Sequence, residues 1–155
     1  MVQGSVKRDP RPRDSLGRPL ARDSGVAVEP DPTALAPAES LAAAQALLDS
    51  GRAFRAHEVL EAIWKATDGA DRELWRGLAQ LAVGVTHAQR GNARGATALL
   101  RRATATLQPW DAAAPYSVDV AGLRAWALSV AAAIEASGRA DAIGASAPMP
   151  SLVRG

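Results

Sequence analysis

Four polar side chains interrupt a stretch otherwise rich in Ala, Leu and Trp: His57 and Glu61 on one predicted helix, Gln80 and His87 on the next. The two histidines are the only ones in the chain. Polar groups on a core-facing stripe cost free energy unless each finds a partner, so their presence marks either a buried network or a site. Residues i and i+4 lie side by side on a helix, which puts the His57 imidazole and the Glu61 carboxylate on one face. Glu58 sits about 100° around the same helix. On the following helix Arg76, Gln80, Gly84 and His87 form a second stripe. Gly77 and Gly84 remove side chains there, so the second helix is expected to approach closely and bring the two stripes together.

Two chemistries fit these residue types. Two imidazoles and one carboxylate, from His57, Glu61 and His87, could hold a divalent metal with open positions for water or substrate, Glu58 then serving as a base. The pattern His-Glu-x-x-Glu lacks the second imidazole of a zinc-protease helix. It also lacks the paired Glu-x-x-His helices of a di-iron bundle. The other chemistry is a hydrogen-bonded network in which Glu61 fixes the His57 tautomer and Gln80 and Arg76 satisfy the rest. A cluster without metal suits a binding or scaffold module; a metal triad suits a hydrolase. Phe54, Trp64 and Trp75 are placed to rim such a pocket.

The elements that must position these groups are helical. Residues 1–37 hold six of the ten prolines amid alternating charges and read as an extended arm. The arm is either a free tail or a strap laid over the domain, with Leu16, Leu20 and Val26–Val28 as its anchors. From Ala38 the apolar period is that of a helix. Helices are expected over 38–50, 53–66, 71–90, 93–107 and 118–136, with Gly51, Gly69, Gly91 and Gly138 as stops. Residues 138–155 read as a weakly ordered tail. Gly51, Ala56, Leu60 and Ile63 recur 40 residues later as Gly91, Ala96, Leu100 and Ala103, at a spacing like that of tetratricopeptide hairpins. The expected fold is therefore all-α: two stacked antiparallel hairpins over residues 38–137, capped by a fifth helix.

Composition narrows the function classes. The chain has 155 residues, enough for one domain with a real core, and no cysteine, which excludes disulfides, thiolate metal sites and a cysteine nucleophile. Eighteen basic residues face sixteen acidic ones, spread over arm and domain alike, so nucleic acid is an unexpected partner. No uninterrupted apolar run reaches membrane-spanning length and no signal peptide is evident, so a cytoplasmic protein without a membrane partner is expected. The serines lack a nucleophile-elbow context and there is no glycine-rich phosphate loop. Arg90, Arg94, Arg101 and Arg102 could bind an anion or simply form a solvated helix face. Exposed Arg and Trp leave a homodimer open.

The segments FRAHEVLEAIW (Phe54–Trp64) and WRGLAQLAVGVTHAQRGNARGATALLRRA (Trp75–Ala103) resemble the bacterial domain-of-unknown-function family 309. The likeness spans roughly residues 40–108, and RPRDSLGRPL in the arm is similar to a segment found ahead of the domain in some members. The resemblance implies a small all-helical domain and no established activity. Its signature positions here are Phe54, His57, Glu58, Glu61, Trp64, Gly77, Gln80, His87, Gly91, Asn92 and Gly95. Thr86 departs from the pattern, which often has an aromatic there, and is expected to leave space beside His87. The ligand that follows from these readings is an unidentified protein segment or small molecule.

Overall fold

The computed structural model describes residues 12–14, 16–20, 25, 32–141 and 149–155. Five helices run in chain order: α1 (Pro37–Asp49), α2 (Ala53–Ala66), α3 (Arg72–Gln89), α4 (Ala93–Leu107) and α5 (Val120–Ser137). Each packs chiefly on its neighbours in sequence, giving a compact all-α bundle of two hairpins and a cap. Among the described residues no extended strand forms; backbone pairing of that kind is confined to the isolated bridges Arg13–Pro19 and Val118–Val153.

The helix ends follow from local chemistry. Gly51 and Gly91 both adopt the left-handed conformation, at φ +80° and +76°. In each case the glycine N–H and the next N–H reach back to the last turn: Gly51 to Leu48 and Arg52 to Leu47, then Gly91 to Ala88 and Asn92 to His87. This is a Schellman stop, made possible by a residue with no Cβ. The 40-residue recurrence is thus structural. Ala56 and Ala96, and likewise Leu60 and Leu100, are fully buried at equivalent places in the two hairpins.

The crossing partner of the α3 glycines differs from expectation. A Cβ on Gly77 would lie 2.6 Å from Leu107 Cδ2, and one on Gly84 would lie 2.9 Å from Leu100 Cδ2. The close approach is therefore between α3 and α4. Seven residues separate the two glycines, two helical turns, so both open the same face to the same neighbour. The core around them is formed by Leu60, Leu74, Trp75, Leu78, Leu81, Val85, Leu100, Leu107 and Leu123.

Among the described residues α5 is the one helix long and apolar enough to meet the length and composition of a membrane span. Its Leu123, Ala127, Val130, Ala131 and Ile134 are buried. Its charged side chains tie it to the bundle: Arg124 pairs with Asp111 at 2.7 Å, and Glu135 takes a two-pronged bond from Arg101 at 2.8 and 2.7 Å. These contacts make α5 the cap of the bundle, and they take Arg101 out of the proposed anion-binding row.

The described parts of both terminal segments fold back onto the bundle. Asp119 N–H donates to the Leu152 carbonyl and Arg154 N–H to that of Ser117, both at 2.9 Å. The Gln45 side chain clips the same segment, accepting from Leu152 N–H at 2.8 Å and donating to the Pro150 carbonyl at 3.0 Å. Leu152 is 1% exposed. Pro150 and Leu152 are thus packed, within a stretch that the sequence reading left as weakly ordered tail. In the arm, residues 12–14 and 16–20 turn tightly and lie against Phe54 of α2 and Arg90 at the end of α3. The third expected anchor of the arm, Val26–Val28, lies outside the described residues.

Candidate functional site

His57 and Glu61 meet as the i, i+4 spacing requires, with Nε2 of the imidazole 2.9 Å from a Glu61 carboxylate oxygen. The second carboxylate oxygen takes the Lys65 ammonium. The bond from His57 holds the Glu61 carboxyl down at about 2; burial opposes this and the Lys65 bond reinforces it. With Nε2–H pointing at the carboxylate, the neutral ring carries its bare lone pair on Nδ1. That Nδ1 is buried and has no hydrogen-bond partner. The ring lies tilted against Phe54, centroid to centroid 5.7 Å. A carboxylate that orients an imidazole leaves one acceptor aimed away from it, which is the arrangement a ligand N–H or O–H, or a metal, would use.

His87 serves a different purpose. Gly95 N–H can only donate, so it meets Asn92 Oδ1 at 2.9 Å and caps α4. The Asn92 amide nitrogen is thereby turned to His87 Nδ1, 3.0 Å away, and must donate to it. A Cβ on Gly95 would fall 2.5 Å from that amide nitrogen and 2.7 Å from His87 Nδ1. His87, Gly91, Asn92 and Gly95 are therefore one device, a helix stop and the next helix's cap, in which the imidazole is the acceptor that sets the asparagine. Burial pushes His87 below its ordinary value and the Arg90 charge pushes the same way, keeping the ring neutral as an acceptor must be.

The expected metal triad is not assembled. Among the described residues no three His, Asp or Glu side chains come together as a ligand group. His57 is committed to Glu61 on its own helix and His87 to the α4 cap, because α3 turns that part of its stripe toward α4. Arg76 is half-exposed and pairs with Glu73 at 3.0 Å, outside any cluster. Trp75, expected at a rim, is 1% exposed and belongs to the core, tilted against Tyr116. Thr86 is also buried, and its hydroxyl returns to the Ala82 carbonyl at 2.8 Å, so it satisfies itself within its own helix.

What remains of the candidate set gathers on α2 and the facing part of α3. Glu58 is 7% exposed and lies 3.5 Å from Arg55. Trp64 stacks under the Arg72 guanidinium at 4.8 Å. Trp64 Nε1 and Gln80 Oε1 are buried without hydrogen-bond partners, like His57 Nδ1. Native interiors leave few such groups. Three of them fall on three residues of the family-like pattern that neither capping nor packing explains.

The arm adds residues that the motif reading did not select. Asp14 organises the turn: its carboxylate accepts from Leu16 N–H and Arg18 N–H at 2.9 Å each and pairs with the Arg18 side chain at 2.7 Å. Gly17, at φ +78°, lies flat on the Phe54 ring, where any Cβ would collide. Arg13 and Arg90 both stack on Phe54, at 4.7 and 5.5 Å from the ring centre. Arg90 Nε donates to the Leu16 carbonyl at 3.0 Å. The available signal was the glycine in DSLGRP: a turn residue flanked by Asp and Pro inside an otherwise extended arm.

With this geometry in hand, the comparisons bear on one region. Residues 41–99 match the family Domain of unknown function (DUF309). The match spans α1, α2, α3 and the first half of α4, and so includes the His57–Glu61 pair, the orphaned polar atoms and the α3–α4 corner. No curated protein and no solved structure matches the chain. The matched region is helical throughout apart from its short turns.

Proposed function

We propose that the DUF309 region is a segment-binding module, and that the corner formed by the start of α2 and the end of α3 is where it holds a turn-shaped peptide. The carrying observation is the seat of the chain's own arm. Phe54 supplies a flat apolar ring, Arg90 a donor for a backbone carbonyl, and the bound segment a glycine thin enough to lie on the ring. A ring, a main-chain hydrogen bond and a backbone-shape requirement are the ingredients of peptide recognition. The unpaired Nδ1 of His57 supports the same reading, since its ring lies against Phe54 and a longer or different segment would find an acceptor there.

An arm tethered in cis excludes a competitor by its high effective concentration, so the test must lift it. Gly17→Val in the full chain collides with Phe54 and is strained at a positive φ, and it leaves the helices intact. A labelled peptide spanning residues 10–21 is expected to bind this variant saturably in fluorescence anisotropy, and the wild type at least tenfold more weakly. Adding Phe54→Ala to Gly17→Val is expected to abolish binding. A fully helical Gly17→Val protein that ignores the peptide would refute the reading.

A further inference from the structure

The seam between arm and domain is electrically unbalanced. Among the described residues, the charges acting on Arg90 are those of Arg13, Asp14 and Arg18, three guanidiniums in all against one carboxylate. That carboxylate is already committed to Arg18 and to two backbone N–H groups. Arg90 itself is only partly satisfied. Its Nε has the Leu16 carbonyl, while its Nη2 is buried with no acceptor. Burial, followed by Arg13, depresses its pKa, as expected of a cation pressed against a like charge in a poorly hydrated place. Both guanidiniums are held in place by stacking on one ring, so neither can swing freely into water.

A buried charged donor without an acceptor is costly, and two guanidiniums held over one ring, Arg13 keeping among the described residues only its Nη1 bond to the Gly17 carbonyl at 2.6 Å, offer their remaining donors to a planar or tetrahedral oxyanion. We infer that Arg90 and Arg13 bind a small oxyanion, a phosphate or carboxylate group, at the seam of arm and domain. One guanidinium comes from α3's end and the other from the arm, so the bound anion clamps the arm shut. Arg94, exposed at the second position of α4, is not among the charges that act on Arg90. The inference uses the docked arm but does not require capture of a foreign segment, so failure of peptide binding leaves it standing.

The test uses the full chain. Inorganic phosphate and acetate are titrated separately at constant ionic strength, balanced with sodium chloride, while the side-chain Nε–H signals of arginine are followed by NMR. Saturable binding is expected for one or both anions, the stronger of the two identifying the ligand class, with the Arg90 signal moving most. Arg90→Gln and Arg13→Gln should each weaken it at least tenfold, and Arg94→Gln should not change it. A response no larger than that to chloride overturns the proposal. So does binding that survives Arg90→Gln, or binding that Arg13→Gln leaves intact, since the anion would then not bridge the seam. Because Arg13 sits outside the helical bundle, its variant reports on the site even if Arg90→Gln disturbs the α3 terminus.

Discussion

At the level of single residues, the two histidines have opposite requirements. His57 donates through Nε2 to a carboxylate and keeps an acceptor in reserve; His87 must stay an acceptor so that Asn92 can cap α4. Protonating His87 would set a donor against the Asn92 amide and loosen the cap. Its folded pKa lies below its unfolded value, so its contribution to stability is complete above the unfolded value of roughly 6.5 and is lost as pH falls through the lower folded one. Urea midpoints are therefore expected to drop between pH 7.5 and 5.5 in the wild type and to drop less in His87→Gln, whose amide oxygen can still accept from Asn92. An equal drop in both proteins would clear His87 of the effect. Glu61 acts at a different pH: held at about 2, it stays ionised through this window, and its contribution is complete above the unfolded value of 4.5 and is lost progressively as pH falls from there to about 2.

At the level of elements, α3 carries most of the organisation. It buries residues on nearly every side, and its two glycines let α4 approach until leucine side chains rest on bare backbone. A methyl at Gly77 has no room to relax, because Leu107 is itself 1% exposed and held by the core. Gly77→Ala should cost about 1–3 kcal/mol through overpacking, read as a lower urea midpoint at unchanged helix content. A neutral or stabilising result, the usual consequence of replacing glycine in a helix, would show that the α3–α4 contact is looser than described. Helix positions were legible from the chain because apolar period and glycine stops are local. The partner of a glycine was not: a missing side chain says that something comes close, and only the crossing angles say what.

Across the whole molecule, the bundle is held by more than its helices. Residues 149–155 return to pair beside Val118 and are locked by Gln45 of α1, so the C-terminal segment joins the first helix to the loop before the last one. Leu152 is the plug in this joint. Leu152→Ala is expected to destabilise the protein by about 2–5 kcal/mol, the range for a fully buried leucine, measured by urea or thermal unfolding. A loss well under 1 kcal/mol would mean that the tail contributes little to the fold. The arm does the equivalent at the opposite end of the chain, seating Gly17 on Phe54.

By itself, the amino-acid order determined the helices, their stops, the hairpin repeat, the His57–Glu61 pair and the likeness to DUF309. All of these depend on residues a few positions apart, where backbone hydrogen bonds, left-handed glycines and i, i+4 geometry leave little choice. Only the tertiary structure decided that His87 serves a cap and Trp75 the core, that α3's glycines admit α4, and that Gly17 and Leu152 of the terminal segments are buried against the bundle. Each of those depends on how distant segments are rotated and brought together, a balance of burial and hydrogen bonding spread over the whole molecule and written in no short stretch of it.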